Sequence, residues 1–122
     1  MTLKNVLLIN AVSSGMTGVL LATMPSLFTT LFDTPYGRPF MLLGIFLIVF
    51  ALFVLVTAMK EVTPKSWTKF IITLDIIWVI ASIVATIILF YTISVAGSVM
   101  ILLVAAWVGM MAYLQNRNLN SI

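Results

Sequence analysis

Four long apolar segments constrain the fold of this chain more than any other feature of its sequence. They cover residues 6–32, 40–59, 67–91 and 95–115, and Asp75 is the one charged residue that lies well inside any of them. A helix needs roughly 20 residues to cross a hydrocarbon core of about 30 Å. Each segment is therefore long enough to span a bilayer, where a helix satisfies its own backbone hydrogen bonds.

The composition supports the same class of protein. Of the 122 residues, 63% are hydrophobic and only 7% are charged, which leaves too little polar surface to cover a soluble domain. The sequence predicts an all-α membrane protein in which four transmembrane helices form an antiparallel bundle, with a single domain over residues 1–122. The spans are expected at 6–24, with a kinked extension to 32, and at 40–59, 67–91 and 95–115.

Prolines mark several of the expected helix boundaries. Pro25 removes a backbone hydrogen bond from the first segment, which is the reason for the expected kink. Pro39 suits the first turn of the second span. Before the third span, Thr63 is expected to cap a helix whose first residue is Pro64.

The chain contains no cysteine and no histidine. These absences remove the usual ligands of zinc, haem and iron–sulfur clusters, and they remove the side chain that most often transfers protons near neutral pH. We therefore expect no metal, no cofactor and no catalytic residues, and hence no enzyme. A net charge of +3 is interpreted as a signal of membrane topology rather than of nucleic-acid binding.

Basic residues predict the orientation in the membrane, because short loops rich in lysine and arginine stay in the cytoplasm. Arg38 is the only basic residue on one side of the predicted bundle. We expect a multi-pass protein of the cytoplasmic (inner) membrane with both termini in the cytoplasm. Five basic residues lie on that cytoplasmic side: Lys4, Lys60, Lys65, Lys69 and Arg117.

Asp75 has an expected partner at the same depth in the bilayer. It lies six residues after Lys69, and Asn10 lies six residues after Lys4 on a span that runs in the same direction. At about 1.5 Å per residue, both polar groups lie about 9 Å beyond these interfacial lysines. If the first and third spans are neighbours, the Asn10 amide is predicted to donate a hydrogen bond to the Asp75 carboxyl.

Two energies bear on the charge state of Asp75. Burying a charged Asp at the middle of a helix costs about 2.5 to 3.5 kcal/mol on insertion scales. Protonating it near neutral pH costs roughly 4 kcal/mol. Because these costs are close, Asp75 fits either a structural hydrogen-bonding group or a proton-coupled site, and we favour the structural interpretation.

A weakly polar face accompanies Asp75 on the third span, and a similar face accompanies Asn10 on the first. Polar side chains within lipid turn toward other helices, so these faces predict an intramembrane polar site. Its expected members are Asp75, Asn10, Trp78, Ser82, Ser14 and Trp107.

Small residues form stripes on the first and fourth spans, where they permit close helix packing. Packing within the chain is the simpler interpretation, and a homodimer interface or docking onto a larger membrane complex is the alternative. The second span lacks a stripe apart from Gly44 and Ala51, so we expect it to carry much of the lipid contact. The stripe residues are Ala11, Gly15, Gly18, Ala22, Ala105, Gly109 and Ala112.

Three short motifs lie at characteristic positions: Asn10-Ala11 near the start, Asp75-x-x-Trp78 in mid-chain and Gln115 near the end. In this pattern the chain resembles small four-helix bacterial inner-membrane proteins. The resemblance implies a bacterial cytoplasmic membrane and carries no activity. The size also resembles that of the small multidrug resistance transporters, which are four-helix dimers built around a membrane carboxylate. The chain departs from them because their glutamate lies in the first helix, where this sequence has Asn10.

Three classes of function fit these features. The first, which we favour, is a non-catalytic subunit, assembly factor or interaction protein whose helices bind partners within the bilayer. The second is a proton-coupled transporter or channel, dimeric, in which Asp75 titrates and Asn10, Trp78, Ser82 and Trp107 line the route. The third is a protein that binds lipid, quinone or another hydrophobic ligand between Trp78 and Trp107.

Overall fold

The computed structural model describes residues 2–120, and within that range all regular structure is helical. Four of the helices, of 21 to 25 residues, are long and apolar enough to cross a membrane. The predicted fold class, an all-α membrane protein with four spans, is therefore confirmed. The helices are α1 (Leu3–Thr23), α2 (Pro25–Phe32), α3 (Arg38–Met59), α4 (Lys65–Ile88) and α5 (Val95–Leu119).

The expected kink after the first span is a complete break. Met24 leaves helical geometry with φ −129° and ψ 54°, and Pro25 then begins α2 as a separate helix. Proline suits that first position because it has no backbone N–H to leave unpaired. Asp33 ends α2 in the left-handed conformation, with φ 54°, and so turns the chain toward α3.

The start of α4 differs from the prediction. The expected Thr63 cap is wrong: α4 begins at Lys65, Pro64 is the N-cap residue, and no side chain caps the helix. Pro64 has an extended backbone, with φ −69° and ψ 124°, so the helix starts one residue later than expected. Its carbonyl accepts from both the backbone N–H and the hydroxyl of Thr68, which anchors the first turn. At the other end, α4 stops at Ile88 rather than at 91.

The spanning helices surround a common centre in the order α1, α3, α4, α5. Helix α1 packs closely along α3 and also contacts α5, whereas α4 packs mainly along α5. Helices α3 and α4 approach each other closely at few positions, and α1 and α4 have no close backbone contact in the described chain. The pair α1 and α4 is therefore diagonal, and a gap separates α3 from α4. We call the two ends of the bundle the terminal end, where α1 begins, and the α2 end.

The tightest helix contact joins Gly18 of α1 to Gly44 of α3. A Cβ atom added to Gly44 would lie 2.5 Å from the Ala22 nitrogen and 2.6 Å from the Gly18 oxygen. A Cβ atom added to Gly18 would lie 2.8 Å from the Gly44 oxygen. Because these neighbours are backbone atoms that cannot rotate away, the two helices reach this distance only with glycine at both positions.

The second span has two different sides. In the described chain, α3 exposes ten large apolar side chains, more than any other helix, as expected of a span that carries much of the lipid contact. Its other side is buried, and the buried share of its spanning window is 39%, compared with 33% in α1 and 28% in both α4 and α5. The cause is the close approach to α1, which covers α3 from Gly44 through Ala51 to Ala58.

The other stripe residues also face the interior of the bundle. Ala11, Ala105 and Ala112 are buried. A Cβ atom on Gly15 would lie 3.5 Å from the Ala51 side chain, and one on Gly109 would lie 3.7 Å from Val79, which are ordinary contact distances. The stripes are therefore occupied by contacts within the chain.

Candidate functional site

Three buried polar side chains meet at the centre of the bundle. Asn10 of α1, Asp75 of α4 and Gln115 of α5 are 3%, 3% and 0% exposed. The Asn10 amide nitrogen donates to Asp75 Oδ2 at 3.2 Å, and the Gln115 amide nitrogen donates to the same oxygen at 2.8 Å. Asn10 Nδ2 also donates to Gln115 Oε1 at 2.8 Å, which closes a triangle across three helices.

The carboxyl group sets the direction of every hydrogen bond in this network. Because Asp75 Oδ2 accepts from both amides, each amide must turn its nitrogen toward it. The Asn10 oxygen then faces away and accepts from the Ser14 hydroxyl at 3.0 Å. We call these four residues, Asn10, Ser14, Asp75 and Gln115, the Asp75 cluster.

The contact between Asn10 and Asp75 forms although their helices are diagonal. The predicted hydrogen bond assumes that α1 and α4 are neighbours, but it does not require this, because both side chains reach the bundle centre at the same level. Gln115 was placed at the end of a span and given no role in the site. Helix α5 continues to Leu119, so Gln115 is inside it. Its spacing from Ala105 and Ala112 on one helical face was the available signal.

An apolar cavity of about 570 Å³ occupies the half of the bundle nearer the α2 end. All five helices contribute to its wall, which is almost entirely hydrocarbon and aromatic ring. It begins one helical turn beyond Asp75, at Trp78, and reaches the loop before α3 at Tyr36. Other wall residues include Leu21, Phe28, Phe40, Ala85 and Ile101.

A smaller cavity of about 330 Å³ adjoins the first and is more polar. Thr17, Trp78 and Val104 line both cavities, so the two meet at these side chains. Ser13, Ser14 and Trp107 also line the smaller one, and the Trp107 indole N–H donates to Ser13 Oγ at 3.1 Å. The smaller cavity therefore touches the Asp75 cluster through Ser14.

The predicted polar site divides into two parts in the structure. Asn10, Ser14 and Asp75 are joined by hydrogen bonds. The remaining members, Trp78, Ser82 and Trp107, line the cavities and have no direct hydrogen bond to Asp75 in residues 2–120. Ser82 donates to the Trp78 carbonyl at 2.7 Å, so its hydroxyl hydrogen is used within its own helix.

Trp78 lies one helical turn beyond Asp75, at the end of the larger cavity that is nearer the Asp75 cluster. Its ring stacks on Phe46 of α3, with centroids 6.4 Å apart and planes 3° apart, and so bridges the gap between α3 and α4. The indole nitrogen is buried and has no hydrogen-bond partner in the described chain.

No protein-family model matches the chain, and no curated protein or solved structure matches it. The four apolar helices make it a small multi-pass integral membrane protein.

Proposed function

We propose that this protein is a non-catalytic membrane protein that binds an apolar molecule from the bilayer in the larger cavity. The observation that carries the proposal is the cavity itself, about 570 Å³ with an apolar wall, within the membrane-spanning part of the bundle. Ligand sites in proteins typically have volumes of about 300–1,000 Å³ and predominantly apolar walls. An apolar wall of this kind favours an apolar occupant over water.

The way the helices pack explains why the space exists. The break at Pro25 lets α2 turn so that Phe28 and Phe32 face the first turns of α3. Their rings contact Phe40 at centroid distances of 5.8 and 4.9 Å, which gives the α2 end of the cavity a rigid aromatic wall. Helices α3 and α4 approach each other closely at few positions, which leaves room for the cavity, and both helices line its wall.

The sequence alone favours a subunit, assembly factor or interaction protein that binds partner helices. The small residues that would form such an interface pack within the chain, Gly18 against Gly44 and Gly15 against Ala51. We therefore assign the interaction to the cavity rather than to the stripes. Among the described residues, the wall of the larger cavity is lined by apolar and neutral side chains, which suits an apolar molecule.

Filling the cavity tests the proposal. Ala85 lines the cavity wall, and Ala85→Phe places a ring in that space. Ala106 is exposed on the outer face of α5, so Ala106→Phe adds the same ring toward lipid. After purification in mild detergent, we expect lipid mass spectrometry to find an apolar molecule retained by the wild type and by Ala106→Phe, and lost from Ala85→Phe. Equal retention by both variants, or no retention by any of the three, would contradict the proposal.

A second candidate, proton-coupled transport, is favoured by one observation. Hydrogen bonds run from the Asp75 carboxyl through Asn10 to Ser14, which lines the smaller cavity. Intramembrane carboxyl groups mark proton pathways in membrane proteins, and here the hydrogen-bonded cluster around the carboxyl reaches the smaller cavity at Ser14. The Asp75 variants described in the Discussion test this candidate.

For localisation, we propose the cytoplasmic (inner) membrane with the terminal end in the cytoplasm. In the fold, Lys4 lies in the first turn of α1, Lys60 follows α3 and Lys65 begins α4, so these three basic residues share the terminal end. Arg38 begins α3 at the opposite end. This distribution supports the orientation because basic flanks are retained in the cytoplasm.

A further inference from the structure

The two cavities change in character along their common axis. The larger is bounded almost entirely by apolar surface, and the smaller by three hydroxyl-bearing side chains, the two indoles of Trp78 and Trp107 and four aliphatic side chains. The two share Thr17, Trp78 and Val104 in their walls and so are adjacent, and an elongated molecule that extends past these side chains would occupy both. Such a molecule has an apolar body toward the α2 end and a polar head toward the Asp75 cluster.

The hydroxyl groups of the smaller cavity have already used their hydrogens. Ser13 donates to the Ile9 carbonyl at 2.9 Å, and Ser14 donates to the Asn10 side-chain oxygen. Thr17 donates to the Ser13 carbonyl at 2.8 Å. A hydroxyl has one hydrogen to donate and two lone pairs that accept. These oxygens therefore offer lone pairs to a ligand and no hydrogen.

The two indole N–H groups add no free hydrogen-bond donor to the smaller cavity. Trp107 donates to Ser13 Oγ, and the Trp78 nitrogen is buried and presents almost no surface to either cavity. The smaller cavity is therefore an acceptor site that suits a hydrogen-bond donor. An ether or ketone oxygen placed there would face the lone pairs of Thr17 and Ser14.

The residues that line the two cavities also indicate the charge of the ligand's polar head group. Within residues 2–120, no Asp, Glu, Lys or Arg lines either cavity. An ammonium or carboxylate head would therefore lose its hydration without gaining a counter-ion, which is costly in a membrane interior. A neutral hydroxyl group can still donate a hydrogen bond, and it does not carry the desolvation cost of a charged head group.

We propose that the ligand is a neutral amphiphile with a hydroxyl head, an alcohol or a phenol, which donates to the hydroxyl oxygens of the smaller cavity while its apolar body fills the larger one. This inference rests on the proposed function, because it requires that the larger cavity holds an apolar molecule. Thr17 is the residue best placed to accept, since it lines both cavities and its hydrogen is already bonded.

A matched pair of probes tests the head group. The first is a long-chain alcohol with a photoreactive diazirine in its chain, and the second is the methyl ether of the same molecule, which cannot donate. Each is mixed with the full chain in lipid nanodiscs and irradiated, and the labelled residues are mapped by mass spectrometry. One hydrogen bond corresponds to about fivefold in affinity. We expect the alcohol to label the cavity walls about fivefold more than the ether at subsaturating concentration.

Two isosteric variants identify the acceptor. Thr17→Val removes the hydroxyl without changing the volume of the side chain, and we expect it to lower alcohol labelling to the level of the ether. Thr23→Val is the control, because Thr23 also donates to a carbonyl of its own helix, that of Val19, but lines neither cavity. A preference for the alcohol that persists in Thr17→Val would overturn the assignment of Thr17.

The outcomes separate the two proposals. If alcohol and ether label the wild type equally and Ala85→Phe abolishes both signals, the proposed function is supported and the hydroxyl head group is refuted. If neither probe labels the wild type above the level of Ala85→Phe, the larger cavity does not bind apolar molecules and both proposals fail.

Discussion

Asp75 illustrates how a costly residue is held within a membrane bundle. A single interhelical hydrogen bond in a membrane protein contributes about 0.6 kcal/mol and at most about 1.7 kcal/mol. One bond from Asn10 is therefore small beside the insertion cost of about 2.5 to 3.5 kcal/mol. Gln115 adds a second donor to the carboxyl and a third bond to the network. At the average value the three bonds contribute about 1.8 kcal/mol together, so they offset part of the insertion cost.

Removing the carboxyl tests this structural role. Asp75→Leu leaves the amide groups of Asn10 and Gln115 without their common acceptor, so we expect the free energy of unfolding to fall by about 1–3 kcal/mol. Asp75→Asn keeps a carbonyl oxygen that accepts, so its loss should be smaller. Thr73→Leu is the control, since Thr73 is exposed on the same helix. Unfolding in bicelles measures the free energy of unfolding of all three variants. An Asp75→Leu variant as stable as the wild type would refute the structural role of the carboxyl.

The Asp75→Asn variant also addresses transport. If the protein couples transport to protons, this variant folds but loses proton-linked flux in reconstituted vesicles, because an amide does not titrate. A wild-type protein without flux under an imposed proton gradient would eliminate transport and leave the structural role of the cluster intact.

At the scale of the residue, the sequence predicted the contact between Asn10 and Asp75 but not the part that Gln115 plays in it. The fixed rise of a helix placed Asn10 and Asp75 at one level without any knowledge of the helix order. Gln115 needed the true end of α5, which lies at Leu119, and helix ends are poorly defined by apolar runs alone. The directions of the hydrogen bonds depend on all three side chains, so they also required the structure.

At the scale of the elements, the contact between α1 and α3 determines where the cavities lie. Close packing at Gly18 and Gly44 holds α3 beside α1, and the gap opens on the opposite side of α3, next to α4. The sequence contained the spans, the break at Pro25 and the small residues. It did not contain the order of the helices, because every spanning helix is apolar on most of its surface. The cavities follow from that order and were therefore not predictable.

A pair of glycine substitutions tests this contact. Gly44→Ala forces a Cβ atom against backbone atoms of α1, at 2.5 Å from the Ala22 nitrogen, so the helices must separate. We expect the free energy of unfolding to fall by about 1–3 kcal/mol. Gly15→Ala is the matched control on α1, because its Cβ atom would lie at an ordinary 3.5 Å from Ala51. There we expect no loss, since alanine favours a helix by about 1 kcal/mol over glycine. Equal losses would show that helix separation is not the cause.

At the scale of the whole molecule, orientation decides which leaflet supplies the ligand. The larger cavity lies toward the α2 end, and most of the basic residues lie toward the terminal end. With the terminal end in the cytoplasm, the gap between α3 and α4 meets the outer leaflet, and the smaller cavity lies deeper, near the middle of the bilayer. The proposed amphiphile then inserts with its hydroxyl head leading, which requires a neutral head because a charged one would not cross the hydrocarbon.

The natural absence of cysteine makes this orientation directly measurable. Pro35 and Glu61 are exposed in the connections at opposite ends of the bundle, so Pro35→Cys and Glu61→Cys each introduce a single thiol. In intact bacterial cells, a membrane-impermeant maleimide should label Pro35→Cys, whereas Glu61→Cys should react only after the membrane is permeabilised. The reverse labelling pattern would refute the proposed orientation, and it would also place the larger cavity in the cytoplasmic leaflet. In that case the ligand would have to be sought among molecules of the inner leaflet.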